Sequence, residues 1–413
     1  MRELLKRIYK KSPLLIKRSL LEAREYSSYV LSCYKEIKEY SYIPKSNKKN
    51  KVIKNILIYH ISGMYYAGTE KTLQTIAGEL AHDYNVFFMY SKDNFSQNQK
   101  DLLDPRVTCI EFSYTSVDKK FPYFIHGMQP HIKEVLTHED IDLLITSSSG
   151  HSQYPFNTIK NIPIILINIF GSPSLQKNIV STIFISKTVQ DYSEQYTGKK
   201  KSNMWAHLTV TPSKKNTTLI RQEVRNRMNI PQDAFVFGRI GRPSDDIYDS
   251  IGIEAFKRVV AKNPNVYYLI MSPPPILIKK VDVELIPNVL YIPNKDDIWD
   301  FYYTIDTLAH FRLDGETFGL NIAEAMFAGN PIISHKSHIW NAHLEYLDPT
   351  FSRVTEKDDV GMYENYMEEF INLHDNDPTT WKEMRARAQS IAEKSFNRER
   401  YGFTIKNIIT SLS

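Results

Sequence analysis

Short apolar runs alternate with helical patterns along most of this chain, and that alternation restricts the fold more than any other feature. The run at residues 55–61 has the length of a strand, and a loop with Gly63 and Gly68 and a helical pattern over 71–82 follow it. Further strand-length runs occur at 85–90, 107–112, 141–146 and 163–169. Strands that are apolar along their whole length are typical of parallel sheets covered on both faces. The sequence therefore predicts a doubly wound α/β domain.

A second set of alternations begins near Pro231. Strands are predicted at 235–240, 266–271, 289–292, 307–311 and 331–333, and helices at 251–262, from 299 and over 317–328. A length of 413 residues suits two domains of about 150 to 200 residues each. Two Rossmann-like domains would leave a cleft at the carboxyl ends of their strands, so the loops after Ile61, Ile240 and Phe311 are expected to face it.

These patterns predict four segments. Residues 1–54 form a basic helical extension and linker, 55–215 an N-terminal Rossmann-like domain, 216–391 a C-terminal Rossmann-like domain, and 392–413 a final helical segment. A hinge is expected near the linker at 213–230. The chain from 358 to 409 is expected to be helical, with an interruption at 396–401.

The positive charge of the chain is concentrated in the extension. Residues 1–54 carry fifteen Lys or Arg against five Glu, a net charge of +10, so the whole-chain value of +5 leaves −5 for the rest. This distribution argues against a nucleic-acid-binding protein. Within residues 1–24, leucines and isoleucines at helical spacing alternate with basic residues, which fits either the surface of an anionic membrane or packing against the body or a partner.

No apolar run reaches the length of a membrane span, and the N-terminus lacks the apolar core of a signal peptide. A cytoplasmic protein is expected, and the extension leaves open peripheral attachment to the inner face of a membrane. The two cysteines, Cys33 and Cys109, have no zinc-site spacing and indicate a reducing compartment.

The most informative stretch is Asp314 to Pro331. Glu316 is predicted at the mouth of a strand and Glu324 about two turns into the helix that follows. A helix that begins near Thr317 would present free backbone N–H groups and the positive end of its dipole, which together favour an anion. The stretch therefore predicts a phosphate-binding site.

This stretch resembles retaining nucleotide-sugar glycosyltransferases of family 4, whose C-terminal domain contains the sequence motif E-x-F-G-L-x-x-x-E-A-M-x-x-G-x-P. The chain matches every named position from Glu316 to Pro331. The resemblance implies a GT-B fold and a hexosyltransferase that moves a sugar from a nucleoside diphosphate sugar to a hydroxyl acceptor with retention at the anomeric carbon. It also implies a growing polysaccharide or glycolipid as acceptor. By the same resemblance, the domain at 55–215 would take the acceptor, the domain at 216–391 would bind the donor, and the helix at 392–413 would cross back to the first domain.

The resemblance implies roles for particular residues. Glu324 would accept hydrogen bonds from the ribose hydroxyls, and Glu316 would lie against the sugar. The family's glycine-rich loop corresponds to Gly63 and Gly68, and His151 resembles a histidine near the transferred sugar. The backbone at Phe318, Gly319 and Leu320 would bind the phosphates.

One expected cation is missing from the donor loop. The family pairs an Arg with a Lys five or six residues later to neutralise the diphosphate. Arg239 and Arg242 both fit the first role, but the next lysine is Lys257, inside a helix. The leaving diphosphate gains negative charge, so a lost cation weakens stabilisation of the transition state.

No metal cofactor is expected, because no D-x-D motif follows a strand in the donor region. The adjacent acid pairs Asp245-Asp246 and Asp296-Asp297 suit turns and helix caps. Two alternatives stay open: another enzyme on the same scaffold, such as a nucleotide-sugar epimerase or a phosphorylase, and a non-catalytic subunit that binds a nucleotide sugar.

Overall fold

The computed structural model describes residues 52–59, 64, 68–93, 95–112, 128–150, 156, 159, 161–174, 176–200, 202–213, 217–292 and 298–412. Most of the predicted basic extension lies outside these residues, as do Gly63, His151 and the Asp296-Asp297 pair.

Seven parallel strands form the first sheet, in the order β3-β2-β1-β4-β5-β6-β7. The strands are β1 (Asn55–Tyr59), β2 (Asn85–Ser91), β3 (Thr108–Phe112), β4 (Leu143–Ser148), β5 (Ile164–Asn168), β6 (Ile179–Phe184) and β7 (Asn203–Trp205). The helices of this part are α1 (Gly68–Leu80), α2 (Gln97–Asp101), α3 (Met128–His138) and α4 (Lys187–Thr197).

Strand β1 shows why these runs are apolar throughout. Ile56 and Ile58 belong to one buried cluster, whereas Leu57 and Tyr59 belong to another. Successive side chains of a strand point to opposite faces, so the two clusters are the cores on the two sides of the sheet. A strand with a core on each face can present no polar residue to solvent, as the sequence predicted.

Six parallel strands form the second sheet, in the order β10-β9-β8-β11-β13-β15, and β12 and β14 form a separate parallel pair. The strands are β8 (Phe235–Ile240), β9 (Val266–Met271), β10 (Val289–Ile292), β11 (Thr307–Ala309), β12 (Gly315–Glu316), β13 (Ile332–His335), β14 (Trp340–Asn341) and β15 (Ser352–Thr355). The helices are α5 (Thr217–Arg227), α6 (Ile251–Lys262), α7 (Pro275–Glu284), α8 (Trp299–Thr304), α9 (Leu320–Phe327), α10 (Val360–Asn376), α11 (Pro378–Ser395) and α12 (Arg398–Leu412).

Helix α5 occupies most of the segment that the sequence analysis treated as a linker. Arg225 on this helix is fully buried, and its guanidinium donates to Asp306 at 2.8 Å, while Arg221 donates to the other oxygen of the same carboxylate at 2.6 Å. These ion pairs hold α5 against the second domain, and the hinge expected near 213–230 stays a prediction. The sequence analysis also missed β6 and β7.

The C-terminal region contains three helices where the sequence predicted one interrupted stretch. Pro378 starts α11, because its ring removes an N–H that a helix interior needs, and Asp377 caps that helix by accepting from the N–H of Thr380. The final helix, α12, packs on α1 in the first domain. Arg398 on α12 donates to Glu79 at 2.9 Å, which confirms the predicted helix crossing back.

None of the helices within the described ranges combines the length and the apolar character that crossing a membrane requires.

Candidate active site

Glu316 lies in the short strand β12, and the backbone conformation just before it requires a glycine at position 315. Gly315 has φ of +69°, and a Cβ there would lie 1.8 Å from the carbonyl oxygen of Trp340 on the paired strand β14. The Glu316 side chain is buried. The chain thus brings a carboxylate into the interior next to the carboxyl ends of the second sheet.

Basic side chains surround the Glu316 carboxylate. His310 Nε2 lies 3.3 Å and Arg312 Nη1 3.7 Å from Oε1 of Glu316. Burial acts to raise the pKa of Glu316, but the charge of Arg312 and the contact with His310 outweigh it and lower the pKa to about 2. Glu316 is therefore an anion at neutral pH and can accept hydrogen bonds from hydroxyl groups.

His343 adds a neutral imidazole to this neighbourhood. Burial, with a contribution from nearby His310, lowers the pKa of His343 to about 3. A contact with the backbone of His335 acts in the opposite direction but does not outweigh the effect of burial.

The helix after Glu316 begins later than the sequence predicted. Gly319, with φ of +90°, precedes the first residue of α9, Leu320, and no side chain caps this end. The hydroxyl of Tyr346 donates to the carbonyl oxygens of both Phe318 and Gly319. In a trans peptide the N–H points opposite to the carbonyl, so these bonds turn the N–H groups of Gly319 and Leu320 away from Tyr346.

Glu324 lies about one turn into α9, because that helix starts at Leu320 and not at Thr317. Its carboxylate is buried and has a partner on each oxygen: Lys71 Nζ lies 3.2 Å from Oε1, and the hydroxyl of Tyr302 donates to Oε2 at 2.8 Å. Sequence reasoning missed both partners. The family pattern expects a cation in the loop after β8, whereas Lys71 comes from the other domain, 253 positions before Glu324.

Gly68 marks the place where the two domains meet at this site. It is the first residue of α1, and a Cβ added to it would lie 3.1 Å from Cδ2 of Leu320. The start of α1 therefore faces the start of α9. The structure brings together Gly68, Leu320 and Glu324, as expected from loops at the carboxyl ends of two parallel sheets.

The two candidate arginines differ in their surroundings. Arg239 on β8 is 2% exposed, its guanidinium lies 5.0 Å from the ring centre of Phe311, and no described residue hydrogen-bonds to its Nε or Nη1. Arg242, in the loop after β8, is exposed. A buried guanidinium with unpaired donors fits an anionic ligand, because burying a charge without partners is costly.

The first domain also contacts the Glu316 loop directly. The Ser186 hydroxyl, at the start of α4, donates to the carbonyl oxygen of Thr317 at 2.7 Å. Glu345 of the second domain accepts from the N–H and the hydroxyl of Thr188 on the same helix, each at 2.6 Å, and contacts His207 Nε2 at 2.9 Å. Sequence reasoning did not identify these contacts, since they join residues far apart in the chain.

Of the acid pairs, Asp245 accepts from the N–H of Ile276 at the start of α7 at 2.9 Å, as expected of a helix cap. Within the described residues, no group of three or more His, Cys, Asp and Glu side chains is arranged to hold a metal ion.

No family model matches the chain, and no curated protein matches its sequence. Solved structures match over nearly its whole length. A glycosyltransferase from Rickettsia africae ESF-5 has a TM-score of 0.69 at 14% identity, covering 87% of this chain and 98% of that one. Anabaena Alr3699/HepE, in complex with UDP and glucose, has a TM-score of 0.65 at 18% identity, covering 87% and 100%. WaaG, a glycosyltransferase involved in lipopolysaccharide biosynthesis, has a TM-score of 0.64 at 10% identity, covering 86% and 99%.

These similarities establish the architecture. The chain has the GT-B fold, with two parallel α/β domains and a C-terminal helix, which confirms the predicted fold class. Assignment to family 4 and the roles of the individual site residues remain predictions.

Proposed function

We propose that the protein is a retaining, metal-independent glycosyltransferase that transfers a sugar from a nucleoside diphosphate sugar to a hydroxyl group. The observation that carries the proposal is the pair of buried carboxylates, Glu316 and Glu324, on either side of the uncapped start of α9. Carboxylates accept hydrogen bonds from hydroxyls, and a helix start binds phosphate, so the arrangement suits a sugar joined to a nucleotide by a diphosphate.

The ribose, the phosphates and the sugar of the donor would each contact a different part of this site. Glu324 would accept from the ribose hydroxyls and Glu316 from the sugar hydroxyls. The N–H groups of Gly319 and Leu320 would bind the phosphates, and Arg239 or Arg242 would hold the diphosphate with charged hydrogen bonds. Gly68 would let the backbone of the first domain approach the donor.

In the proposed reaction the bond between the anomeric carbon and the leaving phosphate oxygen breaks, and a bond to the acceptor oxygen forms on the same face of the sugar. The acceptor hydroxyl gives its proton to the leaving phosphate oxygen, so no nucleophile from the enzyme is needed. The negative charge that grows on the diphosphate would be stabilised by Arg239 or Arg242 and the start of α9. His151 would lie near the transferred sugar.

The acceptor is proposed to be a growing polysaccharide or a glycolipid on the cytoplasmic side of a membrane, where residues 1–24 would hold the protein by their basic residues. The relatives of known structure support the donor class, since Alr3699/HepE was solved with UDP-glucose.

The test is a panel of nucleoside diphosphate sugars incubated with the purified full-length protein, with and without EDTA, and with simple glycoside acceptors. We expect one donor to release free nucleotide in EDTA, and we expect Glu316→Gln and Glu324→Gln to lower turnover at least 100-fold. Glu356→Gln is the control, because this carboxylate is 72% exposed and pairs with Lys336 at the surface. The anomeric configuration of the product, read by NMR, tests retention.

Three outcomes contradict parts of the proposal. A new nucleotide sugar in place of free nucleotide indicates an epimerase, and sugar phosphate formed from glycan and phosphate indicates a phosphorylase. A donor that raises the melting temperature without turnover indicates the non-catalytic binding subunit.

A further inference from the structure

We propose that Lys71, on the first domain, supplies the second cation for the donor diphosphate; this inference rests on the proposed function. Lys71 lies in the first turn of α1, and its Nζ reaches across to Glu324 on α9 of the second domain at 3.2 Å. The Lys71 side chain is 29% exposed, whereas that of Glu324 is 9% exposed. The cation that the donor loop lacks is thus present, but on the opposite domain.

Glu324 does not need Lys71 to hold its position. The second oxygen of the Glu324 carboxylate accepts from the hydroxyl of Tyr302, which is fully buried. An ammonium group has three donors, and Glu324 takes one of them. Lys71 can therefore bind a second anion beside the carboxylate that is proposed to bind the ribose.

The surroundings of Lys71 favour a phosphate group. Gly68, one turn earlier on α1, packs against Leu320 at the start of α9, so two helix starts converge here. Each contributes roughly half a positive charge. The acids Glu70, in the first turn of α1, and Glu324 offset part of this charge, so a phosphate would be held mainly by the ammonium group of Lys71 and the free N–H groups of the helix starts.

Beyond Arg242, the loop after β8 supplies no second cation. Between Arg242 and the next lysine, Lys257, it carries the acids Asp245 and Asp246. Lys257 lies on α6 and pairs with Glu284 of α7 at 2.9 Å, away from the start of α9. A lysine that approaches from the first domain would also join both domains through the donor phosphates, with Arg239 as the cation on the second domain.

The experiment separates the diphosphate from the nucleoside. Calorimetry measures the binding of uridine, UMP and UDP, and of the adenosine and guanosine series, to the full-length protein; the base that binds tightest is then used with the variants. Lys71→Met is expected to weaken binding of the nucleoside diphosphate about 10- to 100-fold, as expected for a lost charged hydrogen bond, and to leave the nucleoside unchanged. Lys71→Arg is expected to restore most of the affinity, and Glu324→Gln to weaken nucleoside and diphosphate alike.

The matched control is Lys406→Met. Lys406 has the same 29% exposure and pairs with Asp83, just after α1, at 2.6 Å. Its removal is expected to leave all affinities unchanged.

Two results would overturn the inference while leaving the proposed function intact: unchanged diphosphate affinity in Lys71→Met, or an equal loss for nucleoside and diphosphate. The equal loss would mean that Lys71 acts only by positioning Glu324. A wild-type protein that binds none of the nucleoside diphosphates would instead contradict the proposed function, and the inference with it.

Discussion

Thr188 donates to the Glu345 carboxylate from both its backbone N–H and its hydroxyl, each at 2.6 Å. Thr188 belongs to the first turn of α4 in the first domain, and Glu345 lies between β14 and β15 of the second domain. A carboxylate from one domain therefore caps a helix of the other. The adjacent bond from Ser186 to Thr317 extends this connection to the Glu316 loop.

Glu345→Gln is expected to weaken this connection, because an uncharged amide caps a helix start less well than a carboxylate. We expect a loss of about 1 kcal/mol of stability, with a fall of a few degrees in melting temperature, and a raised KM for the donor. Asp191→Asn is the control on the same helix, since Asp191 is half exposed and pairs with Lys187 at the surface. Equal effects of the two variants would contradict the interdomain role.

Tyr346 is expected to be needed for phosphate binding because it orients the start of α9. Tyr346→Phe removes the hydroxyl from the carbonyls of Phe318 and Gly319, and we expect kcat/KM for the donor to fall about 10-fold, the size of one hydrogen bond. Tyr401→Phe is the matched control: Tyr401 is also buried, but its hydroxyl has no hydrogen-bond partner among the described residues. A loss of activity in the control as large as in Tyr346→Phe would argue against this explanation.

Arg239 is expected to lower the stability of the ligand-free protein and to strengthen binding of the diphosphate. Arg239→Met removes a buried guanidinium with unpaired donors, so we expect the melting temperature of the ligand-free protein to rise by a few degrees, while diphosphate affinity falls about 10- to 100-fold. The comparison is Arg242→Met, which removes an exposed side chain and is expected to leave the melting temperature unchanged. A lower melting temperature for Arg239→Met would identify its stacking on Phe311 as mainly structural.

Asp306 is expected to be among the most sensitive positions for stability. Asp306→Ala leaves Arg225 fully buried without its counter-ion, and breaking a buried pair in this way costs about 3–5 kcal/mol. Urea unfolding measures the loss. Glu356→Gln, which breaks an exposed pair with Lys336, is expected to cost less than about 1 kcal/mol. Similar losses in the two variants would contradict the importance of burial.

Mild acid is expected to destabilise the protein through His343. The pKa of His343 is about 3 in the folded protein, compared with the ordinary value of 6.5 for a histidine exposed in the unfolded chain. Between pH 3 and pH 6.5, the unfolded chain therefore binds a proton at this residue that the folded protein does not bind. The free energy of unfolding therefore falls as the pH drops from 6.5 toward 3, by up to about 1.4 kcal/mol per pH unit from this group.

His343→Gln and His343→Phe are expected to flatten that slope between pH 4 and 6.5 in urea unfolding. The exposed His138→Asn is the control and is expected to leave it unchanged. A slope that persists in both His343 variants would assign the acid sensitivity to other groups.

The central strands of both sheets, and helices that pack on them, were predictable from the sequence. A strand that is buried on both faces is a continuous run of apolar residues, which can be recognised without knowledge of the rest of the fold. The strand at 266–271 and the helix at 251–262 have the predicted bounds. Strands β6 and β7 were missed. Each has partly exposed positions, and β7 is three residues long, so neither forms the continuous apolar run used to recognise buried strands.

The sequence alone determined the GT-B architecture and the motif that contains Glu316 and Glu324, because both depend on residues close together in the chain. The tertiary structure decided which groups surround that motif. Lys71 lies 253 positions from Glu324, and Thr188 lies 157 from Glu345. Such contacts form only when the two domains pack against each other. The stability of a charged side chain depends on the groups that surround it in the folded protein, and a local sequence pattern does not contain that information.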